Sequence, residues 1–223
     1  MRSSISFQKG LGEIPIVSSG VYWFAFYLQK IFYDTYLSLK SYHREKIPRL
    51  GGYIIASNHL SNLDPMLVGI AAGRRLSFVA KKSLFKNPFV NFFLYQFGAF
   101  PVKRGAFDLQ GMKEALRRLK AQQGIVMFPQ GGRRTEDLDA SQVKAGVGFL
   151  AIKAQVPVVP ALIIGSDKAM PPGVKGIRRA KVTVIFGDPI EVSQKTSYQD
   201  IADRVRDSIK AISSRYPESL PLS

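Results

Sequence analysis

The 223-residue sequence contains no cysteine, which excludes disulfides, thiolate metal sites and a cysteine nucleophile together. It has two histidines, His43 and His59, too few for a multi-histidine metal centre. Acidic residues are scarce as well: 16 Asp and Glu stand against 32 Lys and Arg, a formal net charge of +16. No uninterrupted apolar run reaches the roughly 20 residues of a membrane-spanning helix. At the N-terminus Arg2, Lys9, Glu13 and Pro15 leave no compact apolar stretch, so a secretory signal is not expected. The strained G-x-S-x-G turn that exposes a nucleophilic serine is missing too.

What is present suits one globular core. Hydrophobic residues make up 46% and charged residues 22%, which argues against wholesale disorder. The excess positive charge favours an anionic partner: nucleic acid, an acidic membrane surface or a phosphorylated substrate. Composition alone does not choose among these. The basic residues cluster, with Arg74, Arg75, Lys81, Lys82, Lys86, Lys103 and Arg104 in one stretch free of acids, and Lys168, Lys175, Arg178, Arg179 and Lys181 in another. The first stretch encloses the aromatic run Asn87 to Phe100. Basic residues beside aromatics can hold single-stranded nucleic acid by stacking, or anionic lipid; no nucleic-acid signature accompanies them, and a nucleic-acid partner is not expected.

A second aromatic segment, VYWFAFYL from Val21 to Leu28 and its continuation through IFYDTYLSL, is interrupted by Gln29, Lys30 and Asp34. Trp23, Tyr22, Tyr27, Tyr33 and Tyr36 have apolar bodies and polar tips, which suit a headgroup boundary. The segment reads either as a helix lying in one leaflet or as an aromatic helix packed on the core.

Strand-like runs at Tyr53–Ser57, Ser77–Ala80, Ile125–Phe128, Val158–Ile164 and Val182–Phe186 alternate with helical patterns. Helices are predicted over Asp108–Gln123, with Leu109, Met112, Leu116 and Leu119 on its apolar face, over Val143–Gln155, and over Tyr198–Arg215, with Ile201, Val205, Ile209 and Ile212 inward. The expected fold is α/β: a layered sheet with helices on both faces, plus an N-terminal membrane-interface helical segment. Residues 1–44 are assigned to that segment and 45–223 to the α/β domain.

Chemistry concentrates after the first strand, in SNHLSNLDP from Ser57 to Pro65. Asp64 before Pro65 reads as a helix cap followed by a good first helical residue. A carboxylate five residues beyond His59 can fold back and fix the imidazole's tautomer, leaving the other ring nitrogen as a base. The plainer alternative is that Asp64 only caps a helix and His59 is a satisfied loop histidine.

The blocks that follow bear on that choice. Asn58, His59 and Asp64 form N-H-x-x-x-x-D; Phe100 to Gly105 reads FPVKRG, a basic turn before a helix; Phe128 to Arg133 reads FPQGGR; Val156 to Pro160 reads VPVVP. Ala80 to Phe85 and Lys144 to Gly146 add an AKxxLF-like segment and a K-x-G helix start. In this order and spacing the chain resembles the glycerolipid acyltransferase superfamily, and within it the 1-acyl-glycerol-3-phosphate (lysophosphatidic acid) acyltransferases, over roughly residues 45–190.

The resemblance implies direct acyl transfer from acyl-CoA or acyl-carrier protein to the free hydroxyl of a lysophospholipid, foremost 1-acyl-glycerol-3-phosphate, giving phosphatidic acid. His59 would be the general base and Asp64 its orienting partner. Arg104, Arg133 and Lys81 match positions that bind the acceptor's phosphate, for which guanidinium forks are suited. Asn58, Gln130, Gly131 and Gly132 would line the substrate loop, the glycines allowing close backbone approach or simply a tight turn. Pro157 and Pro160 read as brackets of a short strand. No metal and no prosthetic group are implied. The implied setting is a peripheral or monotopic membrane protein on the cytoplasmic face, with membrane lipids as partners. One departure stands out: the third block ordinarily carries Glu then Gly-Thr, and this chain has Gln130, Gly131 and Gly132, followed by an extra Arg134. That substitution points to a changed charge balance, to another lysolipid acceptor such as a lyso-ornithine lipid, or to an inactive lipid-binding relative.

Overall fold

Alternation along the strand Tyr53–Ser57 (β2) sets the architecture. Tyr53 and Ile55 enter one apolar cluster, whereas Ile54 and Ala56 enter another on the opposite side. A strand buried on both faces must be covered by helices on both, as parallel sheets are. In a computed structural model, residues 19–88, 91, 94, 98–102, 108–130, 144–174, 176–193 and 195–217 are described. Among them run, in chain order, α1 (Ser19–Tyr36), β1 (Lys40–Tyr42), β2, α2 (Asp64–Ala72), β3 (Leu76–Lys81), β4 (Ala99–Val102), α3 (Leu109–Lys120), β5 (Gly124–Met127), α4 (Gly146–Ala154), β6 (Val158–Ile164), the single turn α5 (Ser166–Ala169), β7 (Thr183–Phe186) and α6 (Tyr198–Arg215).

The seven strands lie in the order β1-β7-β6-β2-β5-β3-β4. Every pairing is parallel except β6 with β7. Helices α1 and α2 cover one face with Tyr22, Phe26, Tyr33, Leu37, Leu67 and Val68. Helices α3, α4 and α6 cover the other with Leu119, Leu150, Ile201, Val205 and Ile209 among the buried residues. The expected α/β layering is therefore present. Because β6, β2, β5, β3 and β4 run the same way, their carboxyl ends share one edge of the sheet, where ligands of open α/β sheets bind.

Several sequence expectations need correction. β1 and β4 are strands that the pattern did not flag, because each is short and lies beside loop-like residues. β4 takes up Phe100–Val102, so the FPVKRG block begins as a strand rather than a turn. Pro160 lies within β6, not at its end. A proline inside a central strand normally costs a ladder bond; here the β7 pairing starts only at Ala161, and the Pro160 carbonyl still accepts from Gly187 N–H at 2.8 Å. Leu109 is 60% exposed; the buried face of α3 is Gly111, Ala115 and Leu119. Tyr22 and Tyr33 are buried in the protein, leaving Tyr27 and Tyr36 exposed. The segment assigned as 1–44 thus includes helix residues of the core and, at Lys40–Tyr42, a strand of the sheet.

One polar cluster holds β4 in place. Arg118 on α3 donates to Ser77 Oγ (2.7 Å) and to the Gly98 carbonyl (2.8 Å), while its guanidinium lies 4.8 Å from the Phe100 ring centroid. Glu114 accepts from Arg118 and Arg117 at 2.7 Å. Burial pushes the Glu114 carboxyl up, but hydrogen bonds from Arg117 and Arg118 outweigh it and hold the group below its ordinary value. A glutamate in the unfolded chain titrates near about 4.3. A depressed folded value means the stabilisation is complete above that pH and disappears as pH falls through the folded value. Glu114→Gln should therefore lower the melting temperature at pH 7, and the gap from the parent protein should close below about pH 4 in a thermal-melt series.

Candidate active site

β2 delivers its last residue, Ser57, to the carboxyl edge, and the chain then turns away. Its neighbour β6 would be left with open peptide groups at Ile163. Asn58 closes them: its Nδ2 donates to the Ile163 carbonyl (2.9 Å) and its Oδ1 accepts from Ile163 N–H (2.7 Å). The side chain thus continues the β2–β6 ladder by one step and fixes where the following loop begins. Asn58 is buried, so neither bond competes with water.

His59 follows with its ring stacked on Phe128, centroids 4.3 Å apart, and its backbone N–H donating to Gln130 Oε1 at 3.2 Å. Its Nδ1 is 2.8 Å from Asp64 Oδ2. Asp64 has no exposed surface, and His59 keeps 5%. The same Oδ2 accepts from Leu60 N–H (2.6 Å) and Ser61 N–H (2.8 Å). With two backbone donors already on that oxygen, an Nδ1–H tautomer completes the set, and Nε2 carries the lone pair. Asp64 Oδ1 has no hydrogen-bond partner among the described residues.

The helix-cap expectation for Asp64 is overturned. Leu63 holds the cap position of α2, and Asp64 is its first residue with Pro65 behind it. The Met66 and Leu67 N–H groups that a cap at Asp64 would bind donate instead to the Leu63 carbonyl, at 3.0 and 2.9 Å, and the carboxylate turns back into the loop. At the helix N-terminus the peptide dipoles further favour a negative charge. Gly73, in the left-handed region at φ 65°, ends α2 after nine residues.

Other named residues fall as follows. Lys81 is the last residue of β3, on the carboxyl edge, and is exposed. Gln130 is buried three residues beyond β5 and touches His59 directly. Arg104, Gly131, Gly132, Arg133 and Arg134 lie outside the described residues. By chain position Arg104 follows β4 by two residues and Gly131 follows Gln130. The sequence did not single out Ser61, whose Oγ donates to the Met170 carbonyl at 2.9 Å and accepts from Leu63 N–H at 3.3 Å. Nothing in its spacing signals this, since the partner lies 109 residues away. Among the described residues no three carboxylates and imidazoles gather to hold a metal ion. An imidazole with one nitrogen held by a buried carboxylate can abstract a proton with the other.

Comparison with known proteins places these features in context. The family model described as Acyltransferase matches residues 38–164. A 1-acyl-sn-glycerol-3-phosphate acyltransferase of Bacillus subtilis (strain 168) is 29% identical over 153 residues, 68% of this chain and 73% of the relative. One from Streptococcus pneumoniae is 31% identical over 175 residues, 74% of this chain and 62% of the relative. The chain thus spans between three fifths and three quarters of these relatives' length. In structure, the 1-acyl-sn-glycerophosphate (LPA) acyltransferase PlsC from Thermotoga maritima aligns with a TM-score of 0.72 at 22% identity, covering 89% of this chain and 83% of that one, a likeness of fold.

Removing the Asn58 amide would leave both peptide groups of Ile163 unpaired. Asn58→Ala should lower the unfolding free energy by about 2–6 kcal/mol, from a penalty of about 1–3 kcal/mol for each of the two unsatisfied buried groups. Urea denaturation against the parent protein measures it.

Proposed function

The chain belongs to the acyltransferase family and is an acyltransferase, and from that premise we propose that it transfers an acyl chain to the free hydroxyl of a lysophospholipid, foremost 1-acyl-glycerol-3-phosphate, giving phosphatidic acid. The observation that carries the reading is the buried His59–Asp64 pair at 2.8 Å on the carboxyl edge of the sheet. His59 Nε2 takes the proton of the acceptor hydroxyl as its oxygen attacks the carbonyl carbon of a thioester, acyl-CoA or acyl-carrier protein. The carbon–sulfur bond then breaks, and the proton passes from the imidazolium to the departing thiolate. Ester and thiol are the products, with no covalent enzyme intermediate. Asp64 holds the tautomer and stabilises the transient imidazolium. In this reading Arg104, Arg133 and Lys81 bind the acceptor's phosphate.

The acceptor is a lipid, and α1 supplies a surface to meet it. Phe24, Tyr27, Leu28, Ile31, Phe32 and Tyr36 are exposed on the face turned away from the sheet. No helix among the described residues is long and apolar enough to cross a membrane. We therefore read α1 as a helix whose inner face packs on the core and whose outer face lies in one leaflet, on the cytoplasmic side. An apolar cleft between α1 and α2, lined by Tyr22, Phe26, Met66, Ile70 and Phe78, adjoins the helix that Asp64 begins.

A second reading keeps the chemistry and changes the acceptor. Gln130 motivates it: the amide oxygen preserves the hydrogen bond from His59 N–H, as a glutamate would, but removes a negative charge from the site.

His59→Ala should reduce turnover about 10²–10⁴-fold, the usual weight of a general base, with an unchanged circular dichroism spectrum. Parent-like turnover in that variant would exclude the mechanism. Mass spectrometry of products from a panel of lysolipids, with acyl-CoA and acyl-carrier protein in separate reactions, identifies acceptor and donor. Strict preference for 1-acyl-glycerol-3-phosphate rejects the second reading; in that case Gln130→Glu should leave the preference unchanged.

A further inference from the structure

The acid-free basic run Lys168–Lys181 has no place in the reaction described above. It leaves β6 at the carboxyl edge through α5 and returns in β7, whose first residue, Thr183, is paired with Ile164. The described part of the loop is stapled rather than loose. Arg178 N–H donates to the Ala169 carbonyl (2.8 Å), Val182 N–H to the Leu37 carbonyl (3.0 Å), and Tyr36 Oη to the Ile177 carbonyl (3.4 Å). At its start, the Met170 carbonyl accepts from Ser61 Oγ, between His59 and Asp64. One loop therefore touches the catalytic turn at one end and the C-terminal end of α1 at the other.

Its side chains point to what it meets. Lys168, Arg178, Arg179 and Lys181 are exposed, and no described acidic residue forms an ion pair with Arg178, Arg179 or Lys181. Beside them, Phe32 and Tyr36 stack with centroids 5.3 Å apart at 14°, 42% and 37% exposed. A structural cluster would bury such rings, or pair the charges of Arg178, Arg179 and Lys181. A fixed cationic loop edged by exposed aromatics matches an anionic bilayer, where guanidinium groups meet headgroup phosphates and the rings sit at the acyl boundary.

We propose that the exposed Lys168, Arg178, Arg179 and Lys181, with Phe32 and Tyr36, form a docking surface for anionic phospholipid in the bilayer. It holds the carboxyl edge of the sheet, and with it His59, against the lipid from which the acceptor is drawn. This rests on the membrane-facing reading of α1 and adds to it a charge selectivity and a second anchor.

The test uses the full chain and sedimenting vesicles of phosphatidylcholine alone or with phosphatidylglycerol. Phosphatidylglycerol should strengthen binding, and 0.5 M salt should remove the gain. Each basic residue near an anionic surface contributes about fivefold, so Arg178→Gln/Arg179→Gln/Lys181→Gln should lose about a hundredfold of affinity for the mixed vesicles. A matched triple, Lys120→Gln/Lys153→Gln/Lys195→Gln, should bind like the parent; Lys120 and Lys153 lie at the helix ends that lead into β5 and β6, at the far edge of the sheet. Turnover of a dissolved short-chain lysolipid should be equal in all three proteins, which reports folding and catalysis apart from docking. Equal binding of the parent to both vesicles, or full anionic selectivity in the Arg178 triple, overturns the proposal. Binding to neutral vesicles without anionic gain leaves the α1 reading standing; no binding to either overturns both. Tight RNA binding with no vesicle binding also overturns it.

Discussion

A carboxylate removed from water must recover its hydrogen bonds from the protein, and at Asp64 one oxygen recovers three. Two come from the backbone of Leu60 and Ser61 and one from the His59 ring. The donors are all within five residues, so the loop is wound around the acid that ends it. That winding decides the rest: it sets the imidazole's tautomer, leaves the lone pair on the second ring nitrogen, and starts α2 at the acid itself. Asn58 then moors the loop to β6, and Phe128 presents a flat surface that keeps the ring from rotating.

How far the sequence announced this depends on the range of each interaction. The buried strands β2 and β6 were legible because both of their faces are apolar, and α6 because its inward residues recur at helical spacing. β1 and β4 were not, since three or four residues at a sheet edge carry too little pattern. In the site, the H-x-x-x-x-D spacing let an aspartate reach back to a histidine, and it does. The role of Asp64 as first helical residue rather than cap depended on where its oxygens found donors, which spacing does not encode. Ser61 was invisible for the opposite reason, its partner being remote in sequence and a backbone carbonyl that any residue could supply.

Of the two readings that composition left open for α1, packing on the core is met by its inner face, and the membrane reading proposed above draws on its exposed outer face. Tyr22, Phe26, Tyr33 and Leu37 face inward and complete the core, while Phe24, Leu28 and Ile31 face outward. An amphipathic helix normally sets apolar against polar faces. Here both faces are apolar, so solvent is a poor match for the outer one, and the aromatic content noted in the sequence is shared between two different environments.

The self-contained winding of the loop makes the pair modular. Because the donors to Asp64 Oδ2 all come from its own loop, the His59–Asp64 geometry asks of the surrounding sheet little beyond the Asn58 mooring and the Phe128 ring, and residues farther along that edge can change without disturbing it. Gln130, which keeps its oxygen on His59 N–H while shedding a charge, illustrates such freedom. In the proposed reaction such a loop works as a portable cassette: its neighbours can be edited to suit another acceptor while the His59–Asp64 geometry stays in place.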